Sequence, residues 1–178
     1  MRRFLLGIRG FTVIWGTEKV QKQQLTQAQQ QLNAQIESYA GKIQAFLTEI
    51  NTIILDKEQQ TKLALSCLLA GGHVLFEDLP GLGKTTLSSA LSHLAGLQFQ
   101  RIQFTNDMLA SDVIGVNMFN QKEHQFEFKQ GPIFTQILLA DEINRCSPKT
   151  QSALLEAMEE GAVTIDGVRY VLPQPFWV

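Results

Sequence analysis

The sequence predicts an α/β fold in which helices flank a parallel sheet. Two short apolar runs, at residues 73–77 and 137–141, have the length and composition of buried parallel strands. Each run leads through a turn into a helical pattern, at residues 84–95 and 148–160. This alternation of strand, turn and helix is typical of α/β proteins, and it carries the prediction.

The remaining elements follow from local patterns. Gly96 closes the helix that begins at Lys84, and Ser147-Pro148 opens the last helix, which stops at Gly161. The other predicted elements are a helix at 57–70, a strand at 99–104, hairpins at 115–132 and around Asp166-Gly167, and a strand that begins at 175–178.

Composition excludes several classes of protein. Of the 178 residues, 44% are hydrophobic and 18% are charged, which is the balance of a globular protein. A net charge of −2 argues against a nucleic-acid binder held by phosphate contacts. Cys67 and Cys146 have no metal spacing and indicate a reduced compartment, so we expect a cytoplasmic location. The three histidines also lack metal spacing and are interpreted as structural.

The first fifty residues predict an extension before the main domain. Residues 1–17 have a basic start and an apolar run, but Arg9 interrupts that run, which is too short to span a bilayer. We therefore expect a poorly ordered start and no membrane span. Residues 18–50 predict an amphipathic helix, weakened at Gly41, that packs on its own domain or forms a short coiled coil with a partner. Its apolar residues follow in steps of three or four: Leu25, Ala28, Leu32, Ile36, Tyr39, Ile43, Phe46 and Ile50.

The stretch FEDLPGLGKTT, at residues 76–86, predicts a phosphate-binding loop. It matches the second half of the pattern G-x-x-x-x-G-K-[ST], although Asp78 stands where the first glycine is usual. A turn between a strand and a helix points backbone N–H groups at one spot, and the helix N-terminus adds partial positive charge. A plain Gly-rich turn before a helix is the alternative.

Each residue of this loop has an expected role. Gly81 and Gly83 let the backbone approach phosphate, and Pro80 and Leu82 complete the cradle. Lys84 reaches the terminal phosphates, the hydroxyl of Thr85 is a ligand for Mg²⁺, and Thr86 adds a contact at the helix start.

A second motif favours the nucleotide site over the plain turn. The apolar strand ILLAD ends in Asp141 and is followed by Glu142. In a nucleotide hydrolase, an acid at a strand tip completes the Mg²⁺ shell and the next acid polarises the attacking water. We expect Asp141 in the first role and Glu142, with Lys84, in catalysis. The cofactors are then ATP and Mg²⁺.

With both motifs in place, residues 51–178 resemble the MoxR family of AAA+ ATPases. The likeness is carried by GGHVLFEDLPGLGKTTL, FQRIQFTNDMLASDVIGVNMFN, FEFKQGPIFTQILLADEINR and SPKTQSALLEAMEEGAVTIDGVRYVLPQPF. The resemblance implies a P-loop NTPase core, an ATP-dependent and chaperone-like activity on partner proteins, and a homo-oligomeric ring. It also implies clients that often carry a von Willebrand factor A domain, and hairpins that face the ring pore or the substrate. It places phosphate binding at the loop from Gly81 to Thr86, Mg²⁺ at Asp141 and catalysis at Glu142, and it includes Asn144 and Arg145 in the run DEINR.

The sequence departs from the family pattern in two places. Asp56 stands where the family often has a glycine, in a short turn beside a segment, TIIL, that we expect near the adenine. The chain also ends at Val178, before the sensor residue, the last core strand, the arginine finger and the helical lid that the resemblance implies. In AAA+ sheets the strand that begins at 175–178 lies between those at 73–77 and 137–141. We therefore expect an incomplete core with exposed edges, which folds poorly or aggregates.

Two other functions stay open at this point. One is a nucleotide-binding or oligomerisation fragment without hydrolysis. The other is a related AAA+ machine, either a magnesium-chelatase-like subunit or a DNA helicase loader, of which the second is disfavoured because the chain has no basic patch.

Overall fold

The computed structural model describes residues 15–77 and 83–178, with the side chains of residues 15–25 left outside that description. The chain divides into two compact units, Met1–Ala45 and Phe46–Val178. In chain order the elements are α1 (Trp15–Ile53), α2 (Glu58–Leu69), α3 (Lys84–Ala95), β1 (Phe99–Gln103), α4 (Ala110–Ile114), β2 (Gly115–Asn120), β3 (Gln125–Gln130), β4 (Ile137–Asp141), a 3-10 turn (Ile143–Arg145), α5 (Pro148–Glu160), β5 (Ala162–Ile165) and β6 (Val168–Val171).

The predicted N-terminal helix is present as α1, and no helix among the described residues is long and apolar enough to cross a membrane. Every side chain from 26 to 45 is exposed. The apolar stripe is therefore uncovered at Leu32, Ile36, Tyr39 and Ile43. Ile50, in the last turns of α1, lies within the second unit and is fully buried there.

The helices α3 and α5 have the predicted ends. α3 begins at Lys84 and ends at Gly96, which has a φ of 66° in the left-handed region. α5 begins after Ser147, whose side chain accepts a hydrogen bond from the backbone N–H of Thr150 at 3.2 Å. Gly161 closes α5 with a φ of 60°. Glycine at such positions avoids the clash that a Cβ atom would create.

The parallel sheet centres on β4. β1 and β4 pair in parallel, in a register that runs from Phe99 opposite Ile137 to Gln103 opposite Asp141. On the other side of β4, Trp177 donates to the carbonyl of Gln136 and accepts from the N–H of Leu138, both at 2.8 Å. These bonds place the segment before Val178 beside β4, as the sequence predicts.

The strand predicted at residues 73–77 is not formed as a strand. Val74 donates one backbone hydrogen bond to Val178 at 3.0 Å, and the rest of the segment has no ladder partner among the described residues. The order β4, residues 177–178, Val74 nevertheless agrees with the predicted placement of the 175–178 segment between the two apolar runs.

Both faces of β4 are covered, as expected of a parallel strand. Successive side chains point to opposite faces, so Ile137 and Leu138 belong to different clusters. Ile137 packs with Ile50, Leu91 and Trp177. Leu138 belongs to a larger cluster with buried side chains from β1, α5 and the second hairpin, including Ile102, Leu154 and Ile165.

The two predicted hairpins are present and contact each other. β2 pairs antiparallel with β3, and β5 pairs antiparallel with β6. Asp166 and Gly167 have φ values of 50° and 81°, as a two-residue type I′ turn requires. Asn117 of the first hairpin donates to the carboxylate of Asp166 at 2.7 Å, and Phe128 stacks on Tyr170 with ring centroids 4.0 Å apart.

Candidate nucleotide-binding site

The second half of the predicted phosphate loop enters α3 as expected. Gly83 has a φ of 83°, and its carbonyl accepts the backbone N–H of Leu87 at 2.8 Å, which begins the helix. Within the part of the chain that the structure describes, a Cβ at Gly83 would meet no atom within 4 Å, so the backbone angle is what favours glycine here. The first half of the loop, with Asp78, Pro80, Gly81 and Leu82, lies outside the described residues.

The side chains of the first turn of α3 suit phosphate and cation binding. Lys84 is half-buried, while Thr85 and Thr86 are exposed at the helix N-terminus. The first N–H groups of a helix have no partner within the helix and carry partial positive charge, which favours an anion at this end. Hydroxyl groups at the same place can serve as oxygen ligands for Mg²⁺.

Asp141 lies at the carboxyl end of β4, where ligands bind in open α/β sheets. Its carbonyl accepts the N–H of Phe104 at 2.9 Å, which fixes its backbone to the neighbouring chain segment. Its carboxylate is 34% exposed, and Oδ2 accepts a hydrogen bond from Nη2 of Arg101 at 2.7 Å. The sequence places an acid here and gives no sign of the arginine partner, because Arg101 lies forty residues earlier on β1.

Glu142 leaves the strand in a left-handed backbone conformation, with φ 57° and ψ 38°. Such angles are uncommon for a residue with a side chain and cost about 1–3 kcal/mol, and they are concentrated at functional sites. Oε2 of Glu142 lies 3.0 Å from Nε of Arg145, in the 3-10 turn that follows. Arg145 therefore has a contact with the predicted catalytic acid, whereas no polar contact of Asn144 is found among the described residues.

The turn at Asp56 has the backbone conformation that suits glycine, the residue that the resemblance implies at that position. Asp56 has a φ of 59°, which glycine adopts without strain and other residues adopt at a cost. A cavity of about 660 Å³ opens beside this turn. It is lined by Asn51, Ile54, Leu55, Asp56, Glu58, Gln59, Gln60 and Lys62.

A second cavity, of about 630 Å³, lies between α2 and the start of α3. Its lining comes from α2, the segment at 73–77 and the start of α3, including Gly83, Lys84 and Leu87. Gln60 lines both cavities, so they meet at one side chain of α2.

The donors at the site fit Mg²⁺ together with a nucleotide. Within residues 15–77 and 83–178 there is no group of three or more His, Cys, Asp or Glu side chains that could hold a metal ion alone. Mg²⁺ in phosphoryl-transfer sites does not need such a cage, because one or two protein ligands, nucleotide phosphates and waters complete its shell. The exposed hydroxyl of Thr85 and the partly exposed carboxylate of Asp141 are donors of this kind.

Comparison with known proteins adds a family to this geometry. A sequence model of the ATPase family associated with various cellular activities (AAA) matches residues 73–178. The chain is 57% identical over 129 residues to the uncharacterised protein YeaC of Bacillus subtilis (strain 168). The aligned region covers 72% of this chain and 40% of YeaC. It is also 42% identical over 130 residues to chaperone MoxR1 of Mycobacterium tuberculosis. This aligned region covers 73% of the chain and 34% of MoxR1.

A solved structure supports the same family. A crystal structure from Cytophaga hutchinsonii superposes with a TM-score of 0.69 at 41% identity, and the match covers 83% of this chain and 46% of that one. The chain thus spans less than half the length of each of these relatives. The matches support the α/β fold of P-loop ATPases that the sequence predicts. The chain belongs to the AAA family of ATPases, in its MoxR group.

Proposed function

We propose that the chain binds ATP with Mg²⁺ and hydrolyses it, within a chaperone-like machine that remodels partner proteins. The observation that carries the proposal is the joint presence of two motifs in one unit. Gly83-Lys84-Thr85 begins α3, and Asp141-Glu142 ends β4, the strand against which α3 packs through Leu91 and Ile137. Family membership supports nucleotide binding at this pair of motifs.

In this proposal the two motifs divide the chemistry. The loop from Pro80 to Gly83 and the N-terminus of α3 bind the phosphates, with Lys84 as a point charge on the terminal ones. Thr85 and Asp141 would hold Mg²⁺, which when bound would supply charge neutralisation at the phosphates. Glu142 orients and polarises the attacking water. Most of the catalysis then comes from positioning and charge neutralisation.

The properties of the whole protein are also proposals, because the chain spans only part of its relatives. We propose that it works in a homo-oligomeric ring in the cytoplasm, on protein clients of which some carry a von Willebrand factor A domain. The relative MoxR1 is a chaperone by name, which supports the remodelling role. We also propose that the chain consists of a poorly ordered start at 1–17, a helical extension at 18–50 and an ATPase core at 51–178.

Binding of ATP to the 178-residue chain tests the proposal. We expect Lys84→Ala to weaken ATP binding at least tenfold, because it removes the point charge on the terminal phosphates. Isothermal titration with ATP in the presence of Mg²⁺ measures the change. Lys149→Ala is the matched control, since Lys149 is an exposed lysine in the first turn of another helix, α5. Equal ATP affinity of the two variants would refute the assignment of Lys84.

One observation favours a second function, nucleotide binding without turnover. Both acids of the proposed site contact an arginine, Asp141 through Arg101 and Glu142 through Arg145, so neither carboxylate is without a counter-ion. A sensitive phosphate-release assay on the 178-residue chain separates the two functions. Release that Glu142→Gln stops supports hydrolysis, whereas ATP binding with no release supports the second function.

A further inference from the structure

Arg101 approaches the proposed Mg²⁺ ligand from the neighbouring strand. It lies on β1, two residues before Gln103, which is the residue paired with Asp141 in the register of the sheet. Nη2 of Arg101 donates to Oδ2 of Asp141 at 2.7 Å, and it also donates to Oε1 of Gln103 at 3.3 Å. The guanidinium therefore lies at the carboxyl edge of the sheet, where the proposed cation binds.

The pair is open to solvent and is not needed to place Asp141. The two side chains are 43% and 34% exposed, and an ion pair of this exposure contributes little to stability. The backbone of Asp141 is held by β4 and by its hydrogen bond to Phe104 at 2.9 Å. Removal of Arg101 thus leaves the carboxylate in the same part of the fold.

The charge of Arg101 opposes the binding of a cation at the carboxylate of Asp141. A guanidinium stays protonated at every pH that a folded protein tolerates. In contact with Asp141, it neutralises the carboxylate and repels a divalent ion near the same oxygen atoms. Phosphates of a bound nucleotide supply the negative charge that reverses this balance.

We propose that Arg101 acts through Asp141, because its charge withholds that carboxylate from Mg²⁺ until nucleotide phosphates are present. The cation is then taken up together with ATP and not alone. This inference rests on the proposed Mg²⁺ role of Asp141, and it adds a residue from β1 to a site otherwise built from α3 and β4. It predicts that loss of the arginine charge strengthens Mg²⁺ binding, whereas loss of a residue that merely orients Asp141 would weaken it.

The test titrates Mg²⁺ into the 178-residue chain mixed with a fluorescent ATP analogue. The readout is the Mg²⁺ concentration that gives half of the Mg²⁺-dependent change in binding of the ATP analogue. We expect Arg101→Met to lower this concentration by about threefold to tenfold, from the removal of one unit charge near a divalent ion. Arg101→Gln also removes the charge and must give the same shift, which keeps the test valid if the methionine variant folds poorly.

Two controls separate charge from structure. Arg101→Lys keeps the charge, and we expect it to stay within about twofold of the parent. Arg169→Met removes an arginine from a similar exposed pair, with Glu160 at 3.4 Å, on the second hairpin, and we expect no shift. Melting temperatures of all four variants show whether any change comes from stability.

The outcomes distinguish this inference from the function on which it rests. If the parent responds to Mg²⁺ but Arg101→Met and Arg101→Gln respond at the same or a higher concentration, the role of Arg101 is wrong and the nucleotide site stands. An equal shift in Arg101→Lys would also overturn it, because the charge would not be the cause. If Mg²⁺ has no effect on nucleotide binding by the parent, the proposed site and the inference both fail.

Discussion

Glu142 combines a predicted role with an unpredicted backbone. The sequence places an acid after a buried strand, which is enough to suggest that it polarises water. The left-handed φ of 57° has no counterpart in the sequence pattern, because neighbouring residues and not the glutamate itself impose it. Asp56, with a φ of 59°, differs in that the resemblance to MoxR proteins marks the position as one where glycine is common.

Substitution of Glu142 by glutamine separates ATP binding from ATP turnover. The amide keeps the size of the side chain and loses the charge that polarises water, so we expect Glu142→Gln to bind ATP like the parent and to lose hydrolysis at least 100-fold. ATP titration and phosphate release measure the two quantities on the same sample. Glu159→Gln, an exposed glutamate of α5, is the control. Hydrolysis by Glu142→Gln at the parent rate would show that another group activates the water.

At Asp56 the prediction concerns stability. Asp56→Gly removes a side chain from a left-handed position, and we expect the free energy of unfolding to rise by about 0.5–1 kcal/mol. For a chain of this size the melting temperature then rises by about 1–4 °C. Asp56→Ala should lower it, since alanine lacks the local hydrogen bonding that lets aspartate tolerate these angles. A glycine variant that melts below the alanine variant would contradict the account of this turn.

At the scale of elements, the sequence predicts the helices and hairpins better than it predicts the strand at 73–77. Helix ends are set locally by Ser147, Pro148, Gly96 and Gly161, so a single sequence contains the information. A parallel strand is set by partners distant along the chain, and the bond from Val74 to Val178 is the one such ladder bond of residues 73–77 within the described part of the chain. The sequence also does not predict the crowding at the base of the first hairpin. This crowding depends on how closely Gly131 lies to Val113, which is distant from it along the chain.

Gly131 should tolerate no side chain. A Cβ at this position would lie 2.6 Å from the backbone nitrogen of Gly115 and 2.7 Å from the carbonyl carbon of Val113. We expect Gly131→Ala to destabilise the fold by about 1–3 kcal/mol, because backbone atoms cannot move aside cheaply. Thermal unfolding measures the loss.

Gly41 is the control for Gly131, because alanine at Gly41 is expected to raise stability. It lies inside α1, and a Cβ there would meet no atom within 4 Å. Gly41→Ala should therefore raise helix stability by about 1 kcal/mol, which far-UV circular dichroism on heating detects. Equal effects of alanine at Gly41 and at Gly131 would contradict the crowding found at the base of the hairpin.

For the whole molecule, the sequence predicts the order of elements and the family, and the structure adds how distant segments meet. The placement of residues 175–178 beside β4 is predicted from the resemblance and confirmed by the bonds of Trp177. His73 is structural as expected, since its ring accepts the N–H of Val178 at 3.0 Å and lies 3.2 Å from the carbonyl oxygen of Met158. The arginine partners of Asp141 and Glu142 could not be predicted, because no local pattern links β1 to the end of β4.

The central claim is that the turn at α3 and the acid at β4 act on one Mg²⁺–nucleotide complex. A double-mutant cycle tests it most directly, with Thr85→Ala, Asp141→Asn and the double variant compared for the gain in ATP affinity that Mg²⁺ provides. If both groups hold the same cation, the effects are coupled by about 0.5–3 kcal/mol, and the double variant loses little more than either single one. Losses that add within about 0.5 kcal/mol would show independent groups and contradict a shared site.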